Sequence, residues 1–213
     1  MAAYNLEEQE TIDELKAWWK EYGTLVLLSV VVFAIAAGSI QGWRYYKKSQ
    51  AEQAAQAYVA LQETAAARDA KKIHDAATII MDKHSGTPYA ARAALTAARA
   101  SAEAGDLQSA KLHLQWVLDH AREAELTDVA RLRLAGVLLD ERRLDEALKL
   151  LEARHGESFE SLYQDLRGDI LAAQGKAAEA KGAYQKALQA LDKNSAAYRA
   201  LIQAKVDGLG EAQ

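Results

Sequence analysis

The chain reads as an all-α protein: a single N-terminal transmembrane helix, then an α-solenoid of about four helix pairs, closed by a capping helix. Three observations predict this. There is one proline in 213 residues, alanine makes up about a fifth of the chain, and much of the rest is Leu, Glu, Lys, Arg and Gln. That composition favours helix almost throughout. A stretch without charge runs from Tyr22 to Trp43. Beyond it, a pattern of small and large residues recurs at intervals of 33–37 residues, the mark of a helical array.

The first 22 residues form an acidic tail. Six acids (Glu7, Glu8, Glu10, Asp13, Glu14, Glu21) face two bases (Lys16, Lys20), so the tail carries the chain's whole net charge of −4. Thr11-Ile12-Asp13-Glu14 has the form of a capping box. Ile12, Leu15, Trp19 and Tyr22 follow at helical spacing and give one apolar face.

Residues 23–43 are the predicted membrane span. The uncharged run from Tyr22 to Trp43 rises about 33 Å as a helix, enough to cross a hydrocarbon core. Trp18, Trp19 and Tyr22 precede it, and Trp43, Tyr45 and Tyr46 follow, as interfacial anchors do. A cleaved leader would need a basic start, whereas this one is acidic. Lys16 and Lys20 flank one side of the span; Arg44, Lys47 and Lys48 flank the other. That count of three to two places the C-terminal side in the cytoplasm, by a margin too thin to fix orientation. Gly38 and Gly42 form a G-x-x-x-G at the exit end, a spacing for close helix–helix packing.

Residues 44–213 form the predicted repeat domain. Its clearest unit is Gly168–Leu188, in which small Gly168, large Leu171, turn Gly175, small Ala180, aromatic Tyr184 and small Ala187 follow the tetratricopeptide order. Small residues let two antiparallel helices approach, the large ones fill the space beside them, and Gly175 ends the first helix. One interval of 33 residues upstream stand Ala135, Leu138, Ala147 and Leu151, with Arg142 in place of the turn glycine. A further step gives Ala98, Gly105, Ala110 and Leu114. Ser49–Arg68 and Asp69–His84 make a divergent fourth pair, with Ala77 and Met81 at the small and large positions and Pro88 at the boundary. Ser195–Leu209 is the amphipathic cap.

Chemistry-bearing constellations are scarce. With no cysteine, the chain has no disulfide scaffold, thiol nucleophile or Cys-based metal site. His113 and His120 stand seven apart with no H-E-x-x-H, and read as packing or surface residues. Glu123 and Glu125 read as solvated loop charges. Neither a Gly-rich phosphate loop nor a G-x-S-x-G elbow occurs, so the expectation is a non-enzyme without cofactor or metal. The acidic balance argues against a nucleic-acid partner.

Stacked helix pairs present a groove lined by their first helices, so the expected activity is binding. The register puts Arg92, Leu95, Arg99, Val129, Leu132, Leu139, Leu162 and Asp169 on that groove, a mixture suited to extended polypeptide. Tetratricopeptide domains that clamp chaperone C-terminal carboxylates use Lys and Asn where this chain has Leu95 and Arg99, so that clamp is missing.

The acidic tail, an anchor ending in Gly42-Trp43-Arg44-Tyr45-Tyr46, and four repeat pairs containing Asp165–Lys176 (DLRGDILAAQGK) together resemble the YfgM-like ancillary subunits of the SecYEG translocon. The resemblance covers essentially the whole chain. It implies a bacterial inner-membrane protein with the tail in the cytoplasm and the repeats in the periplasm. The implied partners are the SecYEG translocon, a membrane-anchored periplasmic chaperone (PpiD-like) and unfolded exported proteins being handed to periplasmic chaperones. The competing expectation is a cytoplasm-facing tetratricopeptide adaptor in signalling or stress regulation.

Overall fold

The computed structural model describes residues 3–192 and 195–210. Among these every regular element is helical: α1 (Ala3–Ala66), α2 (Ala70–Lys83), α3 (Pro88–Glu103), α4 (Leu107–His120), α5 (Ala124–Asp140), α6 (Leu144–Leu150), α7 (Glu160–Ala173), α8 (Ala177–Ala190) and α9 (Ala196–Gly210), with a 3₁₀ turn at Glu157–Phe159. The chain divides into two compact units, Met1–Gln50 and Ala51–Gln213.

In the first unit α1 starts upstream of Thr11, so the capping-box sequence lies inside a helix already running. No glycine or proline interrupts residues 3–22, and nothing local makes the chain restart there. An 18-residue window of α1 reaches a mean hydropathy of 2.3 and is 6% buried, so the helix is long and apolar enough to cross a membrane. Most of its large side chains stand exposed, Leu25 at 62% and Phe33 at 76% among them. A β-carbon added at Gly38 or Gly42 would meet nothing within 4 Å, which leaves that side of the helix open for another helix.

The second unit is an array of helices joined two by two through short turns, the end of α1 to α2, α3 to α4, α5 to α6 and α7 to α8, followed by α9; the last three pairs pack along each other, whereas the end of α1 barely touches α2. Each pair is joined by a three-residue turn, at residues 67–69, 104–106, 141–143 and 174–176. The middle residue of every turn lies in the left-handed region: Arg68 at φ 56°, Gly105 at 81°, Arg142 at 61° and Gly175 at 77°. In the last three turns the next residue's N–H reaches back to close the helix end: Asp106 to the Ser101 carbonyl, Arg143 to Leu138 and Lys176 to Leu171, at 2.8–2.9 Å. Arg142 shows that this closure is strong enough to hold a side-chain-bearing residue where glycine is preferred, while Arg68 takes the same conformation in a turn without that bond.

Alanine does much of the packing. In α3, Ala90, Ala91, Ala93, Ala94, Ala97 and Ala98 are all buried, because that helix is approached by α2, α4 and α5. Small side chains let backbones come close, and Leu61, Ile73, Ile80, Leu114, Val117 and Tyr163 fill the spaces between them. At the last pair Gly168 sits against the Tyr184 ring, and an added β-carbon would run into that ring. Leu171, Tyr184, Ile202 and Val206 form a second cluster under α9.

Candidate binding groove

The repeat domain is concave at its N-terminal end. A cavity of about 760 Å³ is lined by Tyr58 and Ala65 of α1, Arg68 of the first turn, Ile73 of α2, Arg92, Leu95, Thr96, Arg99 and Glu103 of α3, and Arg133 of α5. Three of the groove residues expected from the register, Arg92, Leu95 and Arg99, are brought together here. They sit at helical spacing on one face of α3, whose opposite faces are taken by its neighbours.

The three differ in freedom. Arg92 donates twice to Glu123, at 3.0 and 2.7 Å, and to the Pro88 carbonyl. This pairing corrects the reading of Glu123 as a merely solvated charge: it stands at the N-cap of α5 and ties α3 to the start of the next pair. The fork raises the Arg92 pKa, chiefly through the hydrogen bonds to Glu123. Arg99 pairs within its own helix with Glu103 at 2.7 Å, both exposed. Leu95 is 8% exposed and belongs to the core as well as to the cavity wall.

The other five expected groove residues lie elsewhere. Val129, Leu132 and Leu139 are half-buried and pack against the main core. Leu162 is 41% exposed. Asp169 accepts a hydrogen bond from the Tyr184 hydroxyl at 2.7 Å and from Lys205 of α9 at 2.8 Å. Lys205 also reaches Asp165, to which the Tyr198 hydroxyl donates at 2.9 Å. Burial first, and these aspartates second, push both tyrosine pKa values up. At this end of the array the first-helix face is therefore occupied by the protein's own cap.

Arg68 and Arg133 also line the cavity, though neither stands at a groove position of the repeat register. Arg68 stands in a turn, outside any helical period, and Arg133 lies on α5 between two predicted groove positions. Arg133 donates to the Leu95 carbonyl at 3.4 Å. Its pKa is lowered, first by desolvation in the concavity and then by the Arg99 charge. The histidines also pair differently from their spacing: buried His113 meets His74 of α2, Nε2 to Nδ1 at 2.9 Å, while His120 is exposed and stacks on Trp116. Among the described residues no group of three or more His, Cys, Asp and Glu is arranged to hold a metal.

Helix pairs with a shared turn geometry and a terminal cap define a tetratricopeptide-like domain. The family model of the tetratricopeptide repeat-like domain matches residues 16–211. The chain is 35% identical over 191 residues to an ancillary SecYEG translocon subunit of Haemophilus influenzae, covering 88% of this chain and 91% of that protein. It is 30% identical over 210 residues to a protein of the same name from Neisseria gonorrhoeae, covering 98% and 100%. The Escherichia coli K12 protein of that name is 29% identical over 180 residues, covering 84% and 85%. No solved structure matches. The chain belongs to the family of these ancillary SecYEG translocon subunits.

Proposed function

We propose that the chain is a non-catalytic, membrane-tethered adaptor that works beside the SecYEG translocon. Its tail lies in the cytoplasm, α1 crosses the inner membrane once, and the repeat domain works in the periplasm. There it binds a membrane-anchored chaperone (PpiD-like) and helps pass exported, unfolded proteins to periplasmic chaperones. The observation that carries this reading is a concave, partly apolar cavity on a repeat domain whose chain also holds an exposed apolar helix of membrane-crossing length. The relatives' names supply the translocon. The tether acts through effective concentration: a groove held near the point of emergence meets chains often enough for modest contacts to matter.

The thin excess of Arg44, Lys47 and Lys48 over Lys16 and Lys20 favours one rival, a cytoplasm-facing adaptor. Alkaline phosphatase fused after Gln213, with protease treatment of spheroplasts, separates the two. An active fusion and a digested domain are expected. An inactive fusion and a protected domain would reverse the orientation and hand the lead to the cytoplasmic adaptor. Photocrosslinking from Thr96 in the cavity wall then tests the groove itself. It is a better probe than Leu95, where a charged substitution would disturb the core.

A further inference from the structure

Five charged side chains line the cavity, and four of them are arginines: Arg68, Arg92, Arg99 and Arg133, against Glu103 alone. Beyond the acidic tail the chain is neutral overall, so this basic lining is a local feature rather than a reflection of composition. Two of the arginines are neutralised within the protein, Arg92 by Glu123 and Arg99 by Glu103. Arg68 and Arg133 form no salt bridge with any described residue, and they come from different elements, the first turn and α5. A concavity in which one sign of charge prevails focuses its field on whatever enters.

We propose that this cavity binds an acidic stretch of extended polypeptide, its carboxylates meeting Arg133 and Arg68 and its intervening apolar side chains resting on Tyr58 and Leu95. The proposal deepens the groove reading and rests on it. Guanidinium groups suit carboxylates because their planar fork donates two parallel hydrogen bonds. The apolar wall of Tyr58, Ala65, Ile73 and Leu95 favours a peptide over a small inorganic anion, which would leave that surface unused. The crowding that lowers the Arg133 pKa has the same sense: an incoming carboxylate would restore the stabilisation that desolvation and Arg99 remove.

The test uses the full chain in detergent and two fluorescein-labelled peptides of equal length, one alternating Asp and Leu, the other Lys and Leu. Fluorescence anisotropy should show the Asp peptide binding, more weakly as salt is raised, and the Lys peptide failing to bind. Arg133→Glu should weaken the Asp peptide about tenfold or more by charge reversal. Arg68→Gly should also weaken it, while raising the unfolding temperature, because glycine relieves the left-handed turn. A merely structural role would lower binding and stability together. Equal binding of both peptides, unchanged affinity in both variants, or displacement of the Asp peptide by inorganic phosphate would overturn the proposal. If the Asp peptide fails while Thr96 still crosslinks to a translocon-associated partner, the acidic preference falls and the groove reading stands. If the peptide binds but Thr96 crosslinks to no such partner, the chemistry stands and the partner assignment falls.

Discussion

Gly168 shows how one residue's size sets the spacing of two helices. The Tyr184 ring occupies the place a β-carbon would need, and the hydroxyl of that ring is held by Asp169. The ring cannot swing away without losing that bond, so Gly168→Ala should destabilise the repeat domain by about 1–3 kcal/mol, the usual range for overpacking. Denaturant unfolding followed by circular dichroism would measure it; an unchanged midpoint would show that the pair can slide apart freely. Arg142 offers the opposite case. It holds φ 61° where two sister turns hold glycine. Arg142→Gly should therefore stabilise by about 0.5–1 kcal/mol, the left-handed strain of a side-chain-bearing residue less the added entropy of glycine. Gly168, Gly175 and Tyr184 are legible in the sequence because their neighbours lie within one repeat, at fixed spacing. The Arg92–Glu123 and His74–His113 pairs are not, because their partners lie 31 and 39 residues apart and meet only when the array stacks.

Among the elements, α9 differs most from a bare cap. Ile202 and Val206 close the apolar cluster on Leu171 and Tyr184, as the amphipathic pattern of Ser195–Leu209 anticipates. Its Lys205 adds something periodicity does not reveal, a bridge to Asp165 and Asp169 together, flanked by the Tyr184 and Tyr198 hydroxyls. Lys205→Met keeps the length and apolar stem but leaves two carboxylates facing each other, one of them only 11% exposed. It should cost about 2 kcal/mol, since removing one partner of a buried set strands the others. Restoration by Lys205→Arg would tie the loss to charge rather than shape. A loss no larger than about 0.5 kcal/mol would mean the cap is held by its apolar contacts alone. The element α6 is a further departure from a regular pattern. It ends at Leu150, and the segment after it is pinned by the Gly156 N–H donating to Asp128 at 3.0 Å and by His155 stacking on Tyr163.

For the whole molecule, stability should depend on pH through the buried imidazole joining α2 to α4. Burial of His113, then the nearby His74, lowers its pKa below 6.5, against a smaller opposing pull from Asp106. A depressed value means the folded state holds that proton less tightly than the unfolded chain does. This contribution to stability is therefore complete above pH 6.5 and is lost as pH falls from 6.5 through the lowered folded value. Unfolding midpoints measured across that window should fall with acidification, and the fall should be shallower in His113→Leu. Identical slopes would place the acid sensitivity elsewhere. At this scale the fold class and the number of helix pairs are legible from composition and period, and so are the residues that gather at the α3 face of the groove. The far end of the groove is not, because the register of first helices carries no sign that α9 lies across Asp169. Nor does a helical period anticipate the contribution of a turn residue such as Arg68 to the cavity lining.

The four three-residue turns carry a consequence for how such a chain changes length. Each pair is closed locally by its own left-handed residue, whereas the links between pairs vary, spanning residues 84–87, 121–123 and 151–159. A stretch running from one turn residue to the next is thus an interchangeable cassette, carrying the second helix of one pair and the first helix of the following pair. Copying such a cassette would lengthen the array without any new kind of junction. Variation in length can gather at the links, where the backbone has no shared closure to break.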